Sequence, residues 1–133
     1  MRRGSSIVRF WNSTYPCLPE EVGRARRWTW DILQNTSRVD DAVLIMSELS
    51  GNAIRHTVSE RGFGSFHLVI AVLSQFVVLS VRDEGGTSTL PRPDSPGDES
   101  EHGRGLTIVY ALADRVGCDT SNRGNTVTVG LCT

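Results

Sequence analysis

Two apolar segments joined by one or two residues constrain the fold of this chain more than any other feature. They are "FHLVIAVLS" (residues 66–74) and "FVVLSVRDE" (residues 76–84). Segments rich in valine, isoleucine and phenylalanine are typical of strands, and so short a connection predicts a tight antiparallel hairpin. The chain is therefore expected to build a sheet that is at least partly antiparallel.

The rest of the sequence predicts two further strands and three helices around this hairpin. The strands are predicted at residues 7–12 and 125–131, and the helices at residues 19–33, 37–57 and 104–117. In the last helix we expect Leu106, Val109, Tyr110 and Ala113 to face the core and Gly117 to end the helix. This order predicts an α/β (α+β) two-layer sandwich, in which about three helices cover one face of a mixed, mainly antiparallel sheet. Residues 1–133 are read as a single domain.

The composition excludes several classes of partner. A net charge of -1 gives no electrostatic reason to expect nucleic acid. No apolar run approaches the roughly 20 residues of a membrane helix, and no secretory signal is recognisable at the start. The three cysteines lie far apart without a CxxC pattern, which is typical of reduced thiols. We expect a cytoplasmic protein with no direct nucleic-acid or membrane partner.

The chain contains no lysine, because all 14 of its basic residues are arginines. This excludes the P-loop pattern GxxxxGK[ST] and the phosphate-binding lysine of ordinary protein kinases. A bound nucleotide would have to be held by arginine, by backbone N–H groups and by a metal ion.

A polar stripe runs along the second predicted helix, beside its apolar face. Glu48, Asn52, Arg55 and His56 share this stripe at helical spacing. Asn52 offers a neutral oxygen ligand for Mg²⁺, and Glu48 is placed to accept a proton from an attacking hydroxyl or water. Arg55 and His56 would extend the same wall. For an isolated helix, a solvated polar surface is the alternative interpretation.

The stretch "VRDEGG" (residues 81–86) places a carboxylate at a strand end. Asp83 could accept a hydrogen bond from a ligand amine, and Gly85 would let the backbone approach that ligand closely. An ordinary turn is the alternative, since aspartate and glycine are common in turns.

A long polar loop, residues 85–103, precedes the last helix. Loops beyond about 12–15 residues in a compact domain are usually functional or disordered. The loop leads into "HGRGLTIV", where Gly103, Arg104 and Gly105 would form an anion site at a helix N-terminus. We expect residues 87–103 to act as a lid that is mobile without nucleotide and protected with it.

In this order, "ELSGNAIRHT", "VRDEGG" and "HGRGLTIVYALADRVG" resemble the N, G1 and G2 boxes of the GHKL (histidine-kinase-like) ATPase superfamily. More closely, they resemble the bacterial anti-sigma-factor serine/threonine kinases in their short actinobacterial single-domain form. The resemblance implies the histidine-kinase-like ATPase fold, with ATP and Mg²⁺ as cofactors.

The resemblance also implies a role for each matching residue. Glu48 is the catalytic base, Asn52 holds Mg²⁺, and Asp83 binds the adenine amine with Gly85 beside it. The remaining nucleotide contacts are Arg55, His56, Gly103, Arg104, Gly105, Leu106 and Thr126, the last on the strand behind adenine. Two positions depart from the family pattern: Thr87 stands where a glycine is usual, and Gly51 stands where a larger residue is usual.

The expected function is a kinase that binds a sigma factor and phosphorylates an antagonist protein on serine or threonine. A homodimer formed through the first strand or the adjoining surface is implied by the resemblance alone. The alternative is an ATP-dependent protein-binding switch with little or no kinase activity, which Thr87 and Gly51 favour. A slow ATPase with water as the acceptor is a third reading.

Overall fold

A computed structural model describes residues 8–85, 101–121 and 124–133, with the backbone alone for residues 101–105. Its elements are β1 (Arg9–Pro16), α1 (Glu21–Leu33), α2 (Val39–Arg61), β2 (Ser65–Leu73), β3 (Phe76–Arg82), α3 (Glu101–Leu112), β4 (Arg115–Ser121) and β5 (Gly124–Cys132). These strands form one sheet in the order β1-β2-β3-β5-β4, and every neighbouring pair is antiparallel. The predicted hairpin is β2–β3, and the two-layer α/β sandwich is confirmed.

The helices form one layer on one face of the sheet. Helix α2 packs across β2 and β3, and α1 and α3 flank it. The largest fully buried side chains come from both layers: Leu33, Ile45, Met46, Leu49, Phe66, Leu68, Ile70, Val77, Leu79, Leu106, Val109 and Leu131. None of the described helices is long and apolar enough to cross a membrane.

Helix α2 is longer than predicted and carries the polar stripe through the middle of its length. It continues past Thr57 to Arg61 and ends at Gly62, which has φ +85°. The N–H of Gly62 donates to the carbonyl of Val58 at 2.8 Å. A left-handed glycine stops the helix at little steric cost. The stripe around Glu48 and Asn52 therefore lies well inside a rigid helix rather than at a frayed end.

The prediction of a helix over residues 104–117 is wrong at both ends. Helix α3 begins at Glu101 and ends at Leu112, and Tyr110 is exposed rather than in the core. At Asp114 the backbone N–H donates to the carbonyl of Gly130 at 3.0 Å, which brings the chain into the sheet. Gly117 lies in β4, paired with Thr128. The helical spacing of apolar residues concealed this edge strand.

Arg38 joins the start of α2 to the end of α3 and to β5. Its guanidinium donates to the carboxylates of Asp41 at 2.9 Å and Asp114 at 3.1 Å. It also donates to the carbonyls of Leu112 at 2.8 Å and Cys132 at 3.0 Å. The Cys132 N–H and then Arg38 lower the pKa of Asp114. Arg38 thus binds the carbonyl groups at the ends of α3 and β5, both of which are distant from it in sequence.

We expect Arg38→Ala to lower the free energy of unfolding by about 2 kcal/mol, because charge-assisted hydrogen bonds contribute ~1.5–3 kcal/mol. Urea denaturation followed by circular dichroism measures this effect. Arg26→Ala, an exposed arginine of α1, is the matched control and should change stability little. Equal stability of the two variants would show that Arg38 does not hold this junction.

Candidate functional site

Asp83 lies at the centre of the candidate site, directly after the last residue of β3. Its side chain is almost fully buried, with 4% of its surface exposed. Oδ1 accepts hydrogen bonds from the backbone N–H groups of Gly85 at 2.9 Å and Asn125 at 3.0 Å. Two backbone donors on one oxygen hold the carboxylate in one orientation. Oδ2 is therefore the oxygen available to a side chain or a ligand.

The ring of His56, from α2, faces Oδ2 of Asp83. Its Nδ1 lies 3.0 Å from Oδ2 and 3.3 Å from Nδ2 of Asn125. With Asp83 ionised, Nδ1 must carry a proton to donate to the carboxylate, so it cannot also accept from the Asn125 amide. The structure thus brings two of the predicted nucleotide contacts, His56 and Asp83, together, and His56 occupies the oxygen that a ligand amine would need.

Close contacts explain why two glycines, Gly85 and Gly124, lie next to Asp83 in the structure. A Cβ atom at Gly85 would collide with the ring of His56. A Cβ atom at Gly124 would collide with the backbone oxygen of Asp83, and Gly124 has φ +135°, which favours glycine. Glycine at these two positions permits both the contact between His56 and Asp83 and the junction of β3 with β5.

Asn52 shares a small cavity with Asp83, Leu49 and Asn125. Its side chain is buried, and Oδ1 accepts a hydrogen bond from Nη2 of Arg55 at 2.6 Å. Nδ2 has no partner in the described part of the chain. A buried amide without a partner costs about 1–3 kcal/mol, and such groups call for an explanation such as a water, an ion or a ligand. Asn52 has the burial and the polarity of a ligand-binding group.

Glu48 lies one turn before Asn52 and is half-buried. Its carboxylate makes no hydrogen bond or ion pair with any residue that the structure describes. Helix α2 continues without a break through Gly51, where a Cβ atom would meet the Arg55 guanidinium at an ordinary 3.5 Å. The helix wall is continuous, and the carboxylate of Glu48 is available for chemistry.

The predicted lid lies mainly outside the described residues, since residues 86–100, Thr87 among them, are not described. Gly103 and Arg104 fall in the first turn of α3, where backbone N–H groups lack partners within the helix. Gly105 lies one residue farther along. Leu106 is 1% exposed and packs in the core, so its prediction as a nucleotide contact is not supported by its position.

Thr126 does not lie beside Asp83. Successive side chains of a strand point to opposite faces, and Thr126 lines a cavity on the far face of the sheet with Arg82. Asn125 takes the predicted place, because its N–H binds Asp83 and its side chain reaches His56. The sequence indicates this, because side chains alternate along a strand: Asn125 lies two residues before the core-facing Val127 and points the same way, whereas Thr126 points to the opposite face.

The family model for the histidine kinase-like ATPase domain matches residues 15–131 of the chain. The chain belongs to this family. The match extends from the end of β1 to the end of β5 and so includes every residue of the site described above. No curated protein matches the chain in sequence.

Solved structures share the histidine kinase-like ATPase fold with this chain. A histidine kinase domain from the Erythrobacter litoralis EL346 blue-light activated histidine kinase superposes with a TM-score of 0.56 and 20% identity. The match covers 87% of this chain and 60% of that one. A chain of the SiaB-SiaC complex from Pseudomonas aeruginosa superposes with a TM-score of 0.56 and 17% identity, covering 91% of this chain and 88% of that one. At these identities the likeness is one of fold.

The described residues of this histidine kinase-like ATPase domain fit a magnesium-bound adenine nucleotide. Oδ2 of Asp83 is an acceptor suited to an exocyclic amine, and Leu49 and Val81 give an apolar lining to the small cavity beside it. This cavity must widen before it admits a base. Mg²⁺ takes oxygen ligands, and Asn52 presents an amide oxygen from α2. This oxygen suits the metal, and the carboxylate of Glu48 one turn earlier is left for the acceptor group.

Proposed function

We propose that this domain is an ATP- and Mg²⁺-dependent protein serine/threonine kinase of the anti-sigma-factor type. It would bind a sigma factor and phosphorylate an antagonist protein. The observation that carries the proposal is the arrangement of Asp83 and α2: a carboxylate fixed by two backbone N–H groups faces a helix bearing Asn52 and Glu48. That arrangement supports base recognition at Asp83 and binding of phosphate and metal along the adjoining face of α2.

Each residue has a separate task in this proposal. Asp83 receives the adenine amine after the His56 ring rotates away from Oδ2. Asn52 would hold Mg²⁺ through its amide oxygen, which Arg55 now occupies. ATP supplies the phosphoryl group that is transferred. Glu48 orients the acceptor hydroxyl and takes its proton, because its carboxylate has no competing partner among the described residues.

The backbone N–H groups at the start of α3 complete the proposed site. Gly103 and Arg104 lie in the first turn of that helix, where unpaired donors and the helix dipole favour an anion. The guanidinium of Arg104 would counter the charge of the terminal phosphate, as the lack of lysine requires. Gly105 and the lid would close over the phosphates.

A transfer assay tests the kinase proposal. The protein is incubated with Mg²⁺ and radiolabelled ATP together with candidate antagonist proteins encoded near its gene, and labelled serine or threonine is then identified. We expect label on one antagonist and none when Mg²⁺ is chelated. Label on no antagonist, while ATP still changes partner binding, would replace the kinase by the switch.

Two contacts favour the switch as the second candidate. Both proposed ligand atoms are engaged within the chain, Oδ2 of Asp83 by His56 at 3.0 Å and Oδ1 of Asn52 by Arg55 at 2.6 Å. Nucleotide would have to displace both side chains of α2, which would alter the helix surface presented to a partner. One of the structural relatives comes from a two-protein complex, which is compatible with a partner-binding role.

A further inference from the structure

The face of the sheet that the helices leave open carries a row of polar side chains. The row crosses the strands in register and consists of Thr14, His67, Arg82, Thr126 and Asp119. Because neighbouring residues of a strand point to opposite faces, Arg82 points away from the helices while Asp83 points toward them. The row therefore lies directly behind the candidate nucleotide site, separated from it by the sheet.

Arg82 is half-buried and lines a cavity of about 400 Å³ on this open face. It makes no hydrogen bond or ion pair with any residue that the structure describes. The carboxylate in the same row, Asp119, lies two strands away and forms no ion pair with it. A half-buried guanidinium with no counter-ion attracts an oxyanion, which it can bind through two parallel N–H groups.

Neutral donors line the same cavity as Arg82. Asn12, Ser80 and Thr126 line the cavity and come from β1, β3 and β5 respectively. The hydroxyl of Thr14 is already engaged with Nδ1 of His67 at 3.0 Å. One amide and two hydroxyl groups from three strands thus remain in the lining of this cavity, where they could donate to the oxygens of an anion.

The carboxylate of Glu84, two residues after Arg82 at the end of β3, is engaged with other groups. Glu84 accepts hydrogen bonds from the N–H of Ser65 at 2.9 Å and from His67 Nε2 at 3.0 Å, and it pairs with Arg61 at 3.4 Å. The Ser65 N–H and then His67 lower the pKa of Glu84. The negative charge of Glu84 is therefore balanced by these neighbours, and the cavity keeps the positive charge of Arg82.

The geometry points to a second binding site on the open face, centred on Arg82, which takes a phosphate monoester or inorganic phosphate. A guanidinium with three donors around it matches the three or four oxygens of a phosphate group better than the two oxygens of a carboxylate. The phosphate could be free or could belong to a phosphorylated serine side chain. This site is independent of the proposed kinase function, because its residues lie on the opposite face of the sheet from Asp83 and α2.

Titration of the isotope-labelled chain with inorganic phosphate at constant ionic strength, followed by amide NMR, tests the site. We expect the amides of Ser80, Arg82 and Thr126 to shift together and to saturate. O-phosphoserine in a parallel titration distinguishes a free anion from a phosphorylated side chain, and acetate is the carboxylate control. Arg82→Gln should weaken phosphate binding about tenfold or more, since it removes a charge-assisted pair.

Arg115→Gln is the matched control, because Arg115 lies on the same open face but lines a different cavity. It should bind phosphate like the unmodified chain. Thermal unfolding of Arg82→Gln establishes that the variant is folded. The inference is overturned if phosphate shifts only amides around Asn52 and Gly85, if acetate binds as well as phosphate, or if folded Arg82→Gln binds phosphate unchanged.

Discussion

Replacing Asp83 by asparagine is expected to weaken ATP binding by at least about 100-fold, which is about 2.7 kcal/mol. The oxygen of the new amide would remain with the backbone N–H groups of Gly85 and Asn125, which now bind Oδ1 at 2.9 and 3.0 Å. Its NH₂ group would then take the place of Oδ2. An NH₂ group facing the adenine amine sets two donors against each other, so the hydrogen bond is lost and both groups stay desolvated.

Isothermal titration calorimetry with Mg²⁺-ATP measures this loss. Asp119→Asn is the matched control, because Asp119 is an exposed aspartate of β4 on the far side of the sheet. It should bind ATP like the unmodified chain. Thermal unfolding must accompany the titration, since Asp83 also holds the backbone of Gly85 and Asn125. A folded Asp83→Asn that binds ATP normally would mean that adenine lies elsewhere.

Glu48→Gln is expected to preserve ATP binding while phosphoryl transfer falls by ~10²–10⁴-fold, the usual effect of losing a general base. The half-buried carboxylate of Glu48 has no partner among the described residues, so the isosteric change should leave the fold intact. Single-turnover transfer to the antagonist measures the rate. Glu60→Gln, at an exposed position of the same helix, is the matched control and should transfer at the normal rate.

Asn52→Ala separates metal binding from the chemistry assigned to Glu48. Removing the amide removes the proposed Mg²⁺ ligand and the acceptor that Arg55 now uses at 2.6 Å. We expect weaker binding of Mg²⁺-ATP and a much smaller change for nucleotide without metal. If Glu48→Gln transfers normally, or if Asn52→Ala weakens both forms of nucleotide equally, the two roles have been assigned incorrectly.

The parts of the fold set by local pattern could be predicted from the sequence. The β2–β3 hairpin follows from two apolar runs with almost nothing between them, and the polar stripe of α2 follows from helical spacing. The strand β4 was missed because what ends α3 and begins β4 is a contact between Asp114 and Gly130. That contact joins residues that are distant in sequence, so local periodicity carries no sign of it.

The residues of the candidate site also fall into those that local sequence pattern identifies and those that depend on contacts between distant elements. Asp83 and Asn52 were identified from a strand end and a helix face, and the structure places both in one cavity. The alternation of side chains along β5 favours Asn125, which faces the core like Val127, whereas the family resemblance implies Thr126. The contact of His56 with Asp83 depends on how α2 packs against β3, which no spacing within the sequence states.

A crystal structure with Mg²⁺ and a non-hydrolysable ATP analogue would show whether Asp83 and α2 bind the nucleotide. We expect the adenine amine about 3 Å from Oδ2 of Asp83, the His56 ring rotated away from that oxygen, and Asn52 Oδ1 bound to the metal instead of Arg55. Nucleotide bound elsewhere, with the contact between His56 and Asp83 intact at 3.0 Å, would contradict this expectation.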